Sequence, residues 1–149
     1  MKENPKNIPV VESLRAGILA RDGFMGEDTR PFTEIILDDA AVLAGFGLNA
    51  VDIADKMARL TKAGLDAAGT TVRAGDYEVL VEEYMGKFGC PFRDHRAPKR
   101  NTVVTDKAGR QLSWSDLSIH LIKAHGFFQG KGSPYRLEPA DLVEFLRDY

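Results

Sequence analysis

The first seventy residues place apolar side chains at the spacing of amphipathic helices. Helices are predicted over 9–21, 32–44 and 49–63, because apolar residues in each recur every three or four positions and so share one face. Asn49 is a favourable N-cap for the third helix, and Gly64 stands where that helix ends. The apolar positions of the three helices are, in order, Val10, Val11, Leu14 and Ile18; Ile35, Ile36, Val42 and Leu43; and Ile53, Ala54, Met57 and Leu60.

The pattern changes after residue 69 to short runs of β-branched residues separated by turn formers. Two hairpins are predicted, one from strands 70–73 and 77–82 and the other from strands 101–105 and 110–113. The residues that connect the strands are Ala74-Gly75-Asp76 in the first hairpin and Asp106-Lys107-Ala108-Gly109 in the second.

Two more helices are predicted after the hairpins. Ser113 and Asp116 form a capping-box pattern at the start of a helix over 114–125, and Gly126 stands at its end. Pro139 suits the first turn of a last helix.

The order of these elements predicts an α+β fold: N-terminal helices followed by short antiparallel strands, a His-bearing helix and a C-terminal helix. The chain of 149 residues is long enough for one core, so residues 1–149 are expected to form a single domain. Its expected parts are a loose tail over 1–8, a helical half over 9–69, a β-rich half over 70–136 and the C-terminal helix over 137–149.

Composition excludes several classes of protein. Apolar residues make up 44% of the chain and charged residues 28%, which is unlike disordered or collagen-like chains. No apolar run approaches the roughly 20 residues that span a membrane, and the polar N-terminus does not resemble a secretory signal. A single cysteine forms no disulfide within the chain, so a reducing, cytoplasmic location is expected.

Charge is distributed unevenly along the chain. Residues 1–86 carry a net charge of −6, residues 87–136 a net charge of +7 and residues 137–149 a net charge of −3. A basic stretch of this kind predicts contact with nucleic acid or another polyanion, unless the acidic parts of the chain pack beside it and neutralise it. The residues expected to bind nucleic acid are Arg93, Arg96, Lys99 and Arg100. If the target is single-stranded, the aromatic residues expected to stack on its exposed bases are Phe92, Trp114 and Tyr135.

Every thiol and imidazole in the chain lies between residues 90 and 125. Cys90 and His95 are separated by four residues, and His120 and His125 share that spacing on the predicted helix. Zn²⁺ accepts thiolate and neutral imidazole as ligands, so these four residues form a predicted zinc site.

Residues 89–126 resemble a zinc-finger-like module. Gly89-Cys90-Pro91-Phe92 is similar to the turn that presents the first ligand in such modules, and the hairpin and His-bearing helix follow in the usual order. His120 and His125 are five positions apart, about 140° around an ideal helix, so the last helical turn must loosen for both to reach one ion.

The sequence leaves several functions open. The first is a small intracellular zinc-binding protein whose basic module contacts nucleic acid or another polyanion. The second is a metal-dependent hydrolase with three protein ligands and an open position, in which Asp94 or Asp116 acts as the base. The third is a metal-free protein-interaction domain. Binding is ranked above catalysis, because no pair of acid and base residues stands at a motif spacing.

Cys90 and Arg96 also fit the Cys-x5-Arg spacing of cysteine phosphatases, although Pro91 removes one N–H from the expected phosphate cradle.

Overall fold

The computed structural model describes residues 4–15, 17, 19 and 23–149. A 3-10 turn over Pro5–Asn7 precedes the first helix. The helices are α1 (Ile8–Ser13), α2 (Phe32–Gly45), α3 (Ala50–Asp66), α4 (Asp116–His125) and α5 (Pro139–Phe145). The strands are β1 (Val72–Ala74), β2 (Tyr77–Gly89), β3 (Arg96–Thr105) and β4 (Gln111–Ser115).

The predicted α+β class is confirmed. The four strands form one antiparallel sheet in the order β1-β2-β3-β4, and both predicted hairpins are present as β1–β2 and β3–β4. The sheet is more extensive than predicted, because β2 continues to Gly89 and β3 already begins at Arg96. The two hairpins are therefore joined by a third, long β2–β3 hairpin, whose tip is residues 90–95.

Helix α3 packs against the sheet through the face that the apolar spacing predicted. Asn49 caps its N-terminus in a reciprocal capping box with Asp52. Gly64 lies inside α3 where the helix passes close to β2, since a Cβ at this position would stand 2.5 Å from a γ-methyl carbon of Val81. Glycine at this position therefore permits the close approach of helix and sheet.

A buried polar network joins α3 to the two strands beneath it. The Thr61 and Thr102 hydroxyl oxygens lie 2.7 Å apart, and Trp114 Nε1–H donates to Thr61 Oγ1 at 3.0 Å. All three side chains are buried, so each polar group depends on the others for its partner. The network fixes the position of α3 over β3 and β4.

The prediction of a helix over 9–21 is wrong in its described second half. Helix α1 ends at Ser13, and Gly17 has a φ of 82°, a left-handed conformation outside the range of an α-helix. Ile18, assigned to the apolar face of this helix, lies outside the described residues. Part of the predicted loose tail is ordered, because the 3-10 turn and the first residue of α1 fall within it.

The predicted start of α4 is also wrong. Trp114 pairs with Thr102 and Ser115 with Asn101, so both residues belong to β4 and the helix begins at Asp116. The N-cap is Ser115, whose Oγ accepts a hydrogen bond from the Ser118 N–H. Ser113 and Asp116 therefore do not form the predicted capping box.

Candidate metal centre

The tip of the β2–β3 hairpin is a tight turn closed by its own backbone. The Cys90 N–H donates to the His95 carbonyl at 2.9 Å, and the Arg93 N–H donates to the Cys90 carbonyl at 2.9 Å. Arg93 has a φ of 63°, the left-handed conformation that reverses the chain here. The turn places Cys90 and Asp94 against the end of α4.

Helix α4 contributes the two imidazoles. His125 is its last residue, and Gly126 ends the helix with a φ of 64°. This is the left-handed C-cap that glycine adopts without a steric penalty. Although His120 and His125 are five positions apart, their rings lie close, with centroids 5.3 Å apart and planes at 78°.

Four side chains from these two elements converge. One ligand atom from each of Cys90, Asp94, His120 and His125 lies within 4.8 Å of the other three. Asp94 Oδ1 lies 3.0 Å from His120 Nε2, and Asp94 Oδ2 lies 2.8 Å from His125 Nε2. The Cys90 Sγ lies 3.8 Å from His125 Nε2.

These distances can be compared with the edges of a zinc tetrahedron. Zn²⁺ with bonds of about 2.0–2.3 Å holds its ligand atoms about 3.3–3.6 Å apart. The two Asp94 contacts are shorter than such an edge, the Cys90 contact is longer, and the four ligand atoms spread over up to 4.8 Å. The cluster therefore has donor types that Zn²⁺ accepts, and its side chains would have to adjust to hold one ion.

The base of the cluster is apolar and its rim is open. Cys90 is buried in a core formed with residues that include Phe32, Leu121 and Phe127. The Phe92 ring stacks on His125, with centroids 4.0 Å apart and planes at 11°, which restrains that imidazole. The exposed side-chain fractions are 18% for His120, 20% for His125 and 42% for Asp94, so Asp94 stands on the solvent side.

The surroundings perturb both acidic ligands. Burial raises the pKa of the Cys90 thiol to about 12, and its contact with the Asp94 carboxylate acts in the same direction. Partial burial also raises the pKa of Asp94, but hydrogen bonds from Cys90 and His120 and the nearby imidazoles outweigh it and lower that pKa to about 2. The thiol therefore carries its proton at neutral pH until a metal displaces it.

The structure brings together three of the four predicted ligands, namely Cys90, His120 and His125. His95 is exposed on the hairpin tip and outside the group of four, with its ring stacked on His120 at a centroid distance of 4.4 Å. The fourth member of the group is Asp94. A search of the sequence for thiols and imidazoles alone misses Asp94 as a ligand. A search that also counts carboxylates as zinc ligands finds it, because it lies four residues after Cys90.

The phosphatase alternative has no support in the hairpin tip. The Cys90 N–H is already bonded to the His95 carbonyl, so it is not directed at a bound anion. The raised pKa of Cys90 also keeps the sulfur in its protonated form, which is a weak nucleophile.

The four predicted nucleic-acid residues have different environments. Arg100 is paired with Asp116 at 3.1 Å and with Glu83 at 3.6 Å, so part of its charge is neutralised within the chain. Arg93 Nε donates a hydrogen bond to Ser13 Oγ at 3.2 Å. Arg96 is exposed at the start of β3. The Lys99 Nζ lies 4.9 Å from the Phe88 ring centroid.

Two of the three predicted stacking residues are engaged elsewhere. Trp114 is buried and bonded to Thr61, and Phe92 stacks on His125. Tyr135 is 55% exposed and remains accessible. The prediction that Trp114 stacks on exposed bases is therefore wrong, because the core already covers its ring.

Comparisons with known proteins give no relative for this chain. No family model, no curated protein and no solved structure matches it. Across the part of the chain that the structure describes, no helix is both long enough and apolar enough to cross a membrane.

Proposed function

We propose that this chain is a zinc-binding protein in which Cys90, Asp94, His120 and His125 hold one Zn²⁺. The observation that carries the proposal is the convergence of four ligand atoms, from a hairpin tip and a helix end, within 4.8 Å of one another. Thiolate, imidazole and carboxylate together match the ligands of zinc sites. Mg²⁺ and Ca²⁺ are disfavoured, because they bind through oxygen alone.

The bound ion would have a structural role. Four protein ligands complete a tetrahedral shell and leave no position for a substrate. The ion would fasten the β2–β3 hairpin tip to the C-terminal end of α4. Cys90 belongs to an apolar core, so we expect zinc to stabilise a chain that has other sources of stability.

Metal analysis of the purified protein tests the proposal. Protein prepared without chelator is expected to contain about one zinc per chain, and His125→Ala is expected to lose most of it. Substitution with Co²⁺ should give the intense visible bands of a tetrahedral site and a near-ultraviolet thiolate band that is absent from Cys90→Ser. Less than about a tenth of an equivalent of any metal would contradict the proposal.

The hydrolase alternative depends on the exposed edge of the site. Asp94 is the most exposed of the three ligands on the rim, so its position is the one that a water molecule would take in an open site. Azide or cyanide added to the Co²⁺ protein distinguishes the two forms. The visible spectrum should stay unchanged if four protein ligands close the site, and should shift if one position exchanges with solvent.

Contact of the basic stretch with nucleic acid stays a prediction. It is supported by the net charge of +7 over residues 87–136 and by the exposure of Arg93 and Arg96 beside the metal centre. A mobility-shift titration with mixed DNA and RNA at low salt tests it. The expected complex should weaken as salt rises, because bound cations on the nucleic acid are released on binding. No shift at tens of micromolar protein would contradict it.

A further inference from the structure

A large groove lies on the sheet at β4, and none of the four residues of the metal cluster lines it. Its volume is about 890 Å³, within the range of sites that hold a ligand. All five residues of β4, Gln111–Ser115, line it, although their side chains alternate between the two faces of the sheet. The groove therefore reaches both faces of this strand, and it extends to residues of β2 and β3.

The outer edge of β4 has no strand partner in the described part of the chain. The strand stands at the end of the sheet order and pairs only with β3. Alternate residues of such an edge direct their N–H and C=O groups outward, where they can pair with another extended chain. Edge strands of this kind are used in peptide recognition by strand addition.

Exposed apolar side chains from outside β4 also line the groove. In the register of β2 and β3, Glu83 lies opposite Arg100 and Lys87 lies opposite Pro98. Residues 84–86 of β2 therefore lie opposite the single residue Lys99 and form a bulge. Two of these residues, Tyr84 and Met85, are 60% and 96% exposed. Tyr135, in the segment between α4 and α5, is 55% exposed. All three line the groove, which marks it as a surface suited to a partner.

The two faces of β4 differ in polarity. Leu112 and Trp114 lie on the face that packs on the core, while Ser113 and Ser115 lie on the opposite face with Asn101. Lys99, two positions before Asn101 on β3, projects to that same polar face. A strand added beside β4 would therefore meet apolar groups on one face and polar groups with a cation on the other.

Lys99 is available to a ligand. Its Nζ lies 4.9 Å from the Phe88 ring centroid, and no described carboxylate lies within ion-pairing distance of it. The neighbouring Arg100, by contrast, already pairs with Asp116. The unpaired cation favours an acidic residue on the polar face of the added strand.

We propose that β4 binds an extended peptide in which apolar and acidic residues alternate, and that this peptide adds to the sheet as a further strand. Its apolar side chains would lie on the side of Leu112, which is only partly buried, and an acidic side chain would reach Lys99. Charge complementarity with Lys99, whose Nζ has no described carboxylate partner, favours this acidic peptide as the occupant. The proposal does not depend on the metal centre.

Three fluorescent seven-residue peptides, in which glutamate alternates with valine, leucine or phenylalanine, test the proposal on the purified full-length protein. At least one is expected to bind saturably below about 1 mM, measured by fluorescence anisotropy. The amide resonances of Gln111–Ser115 and Lys99 should shift in two-dimensional NMR spectra. Replacing the glutamates with lysine should weaken binding by about tenfold or more.

Backbone methylation separates strand addition from simple pocket binding. Only alternate peptide N–H groups point towards β4, so N-methylation of one alternate set should abolish binding and methylation of the other set should leave it nearly unchanged. Lys99→Glu should weaken binding about tenfold, whereas Lys62→Glu, at a lysine 76% exposed on α3, should not.

Three results would overturn the proposal. The first is no binding by any of the three peptides. The second is equal binding by both methylated forms, which would exclude backbone pairing with β4. The third is a single-stranded oligonucleotide that shifts the amides of Gln111–Ser115 while the peptides do not, which would assign the groove to nucleic acid.

Discussion

Asp94 Oδ2 lies 2.8 Å from His125 Nε2, although the two residues are 31 positions apart in the chain. The contact joins the tip of a hairpin to the last residue of a helix. The other oxygen of the same carboxylate reaches His120, so one aspartate bridges both imidazoles. Without a metal, this bridge holds the ligands together by hydrogen bonds, and a Zn²⁺ ion would replace those hydrogen bonds with metal–ligand bonds.

Asp94→Asn and His95→Gln should affect zinc binding differently. Asp94→Asn replaces a charged ligand with a neutral amide of the same shape and should weaken zinc binding by at least about 10–100-fold. His95→Gln removes an exposed ring that stacks on His120 and should change affinity far less. Competition with a fluorescent zinc chelator measures both affinities. If His95→Gln loses as much affinity as Asp94→Asn, His95 is a ligand, as the sequence predicted.

Cys90 should react slowly with iodoacetamide in the metal-free folded protein. A thiol of pKa about 12 is almost entirely protonated at pH 7, and its side chain is also buried. The alkylation rate of the folded protein should rise with pH through pH 10 without levelling off. The urea-unfolded chain should level off above about pH 8.5, the ordinary pKa of cysteine. An alkylation rate that is half-maximal near pH 8.5 in the folded protein would contradict the raised pKa.

Asp28 should stabilise the fold at neutral pH and lose that effect in acid. Hydrogen bonds from Arg30 lower the pKa of Asp28 well below its ordinary value, because the guanidinium favours the charged carboxylate. A lowered pKa in the folded state gives stability that is complete above the unfolded pKa of about 3.9 and declines as pH falls towards the folded pKa. Asp28→Asn should therefore lower the free energy of unfolding by about 1–3 kcal/mol at pH 7, and by less at pH 3.

Urea unfolding at pH 7, 4 and 3 measures this difference. Asp38→Asn is the matched control, because Asp38 pairs with the same arginine at 2.7 Å but is 54% exposed. Asp38→Asn should lower the free energy of unfolding by less than about 1 kcal/mol at each pH. A deficit of Asp28→Asn that stays constant from pH 7 to pH 3 would show that the carboxylate's charge does not contribute.

Thr61→Val should destabilise the protein although it keeps the size of the side chain. The change leaves the Trp114 Nε1–H and the Thr102 hydroxyl without their partner in a buried site, at a cost of about 1–3 kcal/mol. Thr71→Val, at an exposed position, should stay within about 0.5 kcal/mol of the original protein. Thermal or urea unfolding compares the two.

A double substitution checks that Thr61 and Thr102 act as one network. Thr102→Val should cost less in the Thr61→Val protein than in the original, because their hydroxyl contact is then already lost. Equal costs in the two backgrounds would mean that the two hydroxyls contribute independently.

The sequence by itself determined the helices with a strong local pattern and the two short hairpins. Apolar residues in α3 recur at helical spacing, and Asn49 caps that helix as its side chain predicts. Gly126 ends α4 for an equally local reason, since its left-handed conformation is one that glycine adopts easily. The grouping of Cys90, His120 and His125 also follows from the sequence, because they are among its few thiol and imidazole groups.

Only the tertiary structure decided the length of the β2–β3 hairpin. The second half of β2 is exposed or only half-buried at each residue, so it shows no alternation of buried and exposed positions that could predict a strand. Hydrogen bonds to β3 hold this segment in the sheet, and such pairing between distant segments leaves no periodic trace in the sequence. The same hairpin contains the bulge that follows Glu83, in which Tyr84 and Met85 are exposed.

The choice of Asp94 over His95 in the cluster was also decided by tertiary structure. Both residues follow Cys90 closely enough to reach a shared ion, so spacing alone does not separate them. The left-handed Arg93 and the bond from the Cys90 N–H to the His95 carbonyl set the turn, which brings the Asp94 carboxylate between the two imidazoles and leaves His95 exposed. Side-chain direction in a tight turn depends on backbone torsions and on packing against α4, and neither is encoded in the spacing of ligand residues.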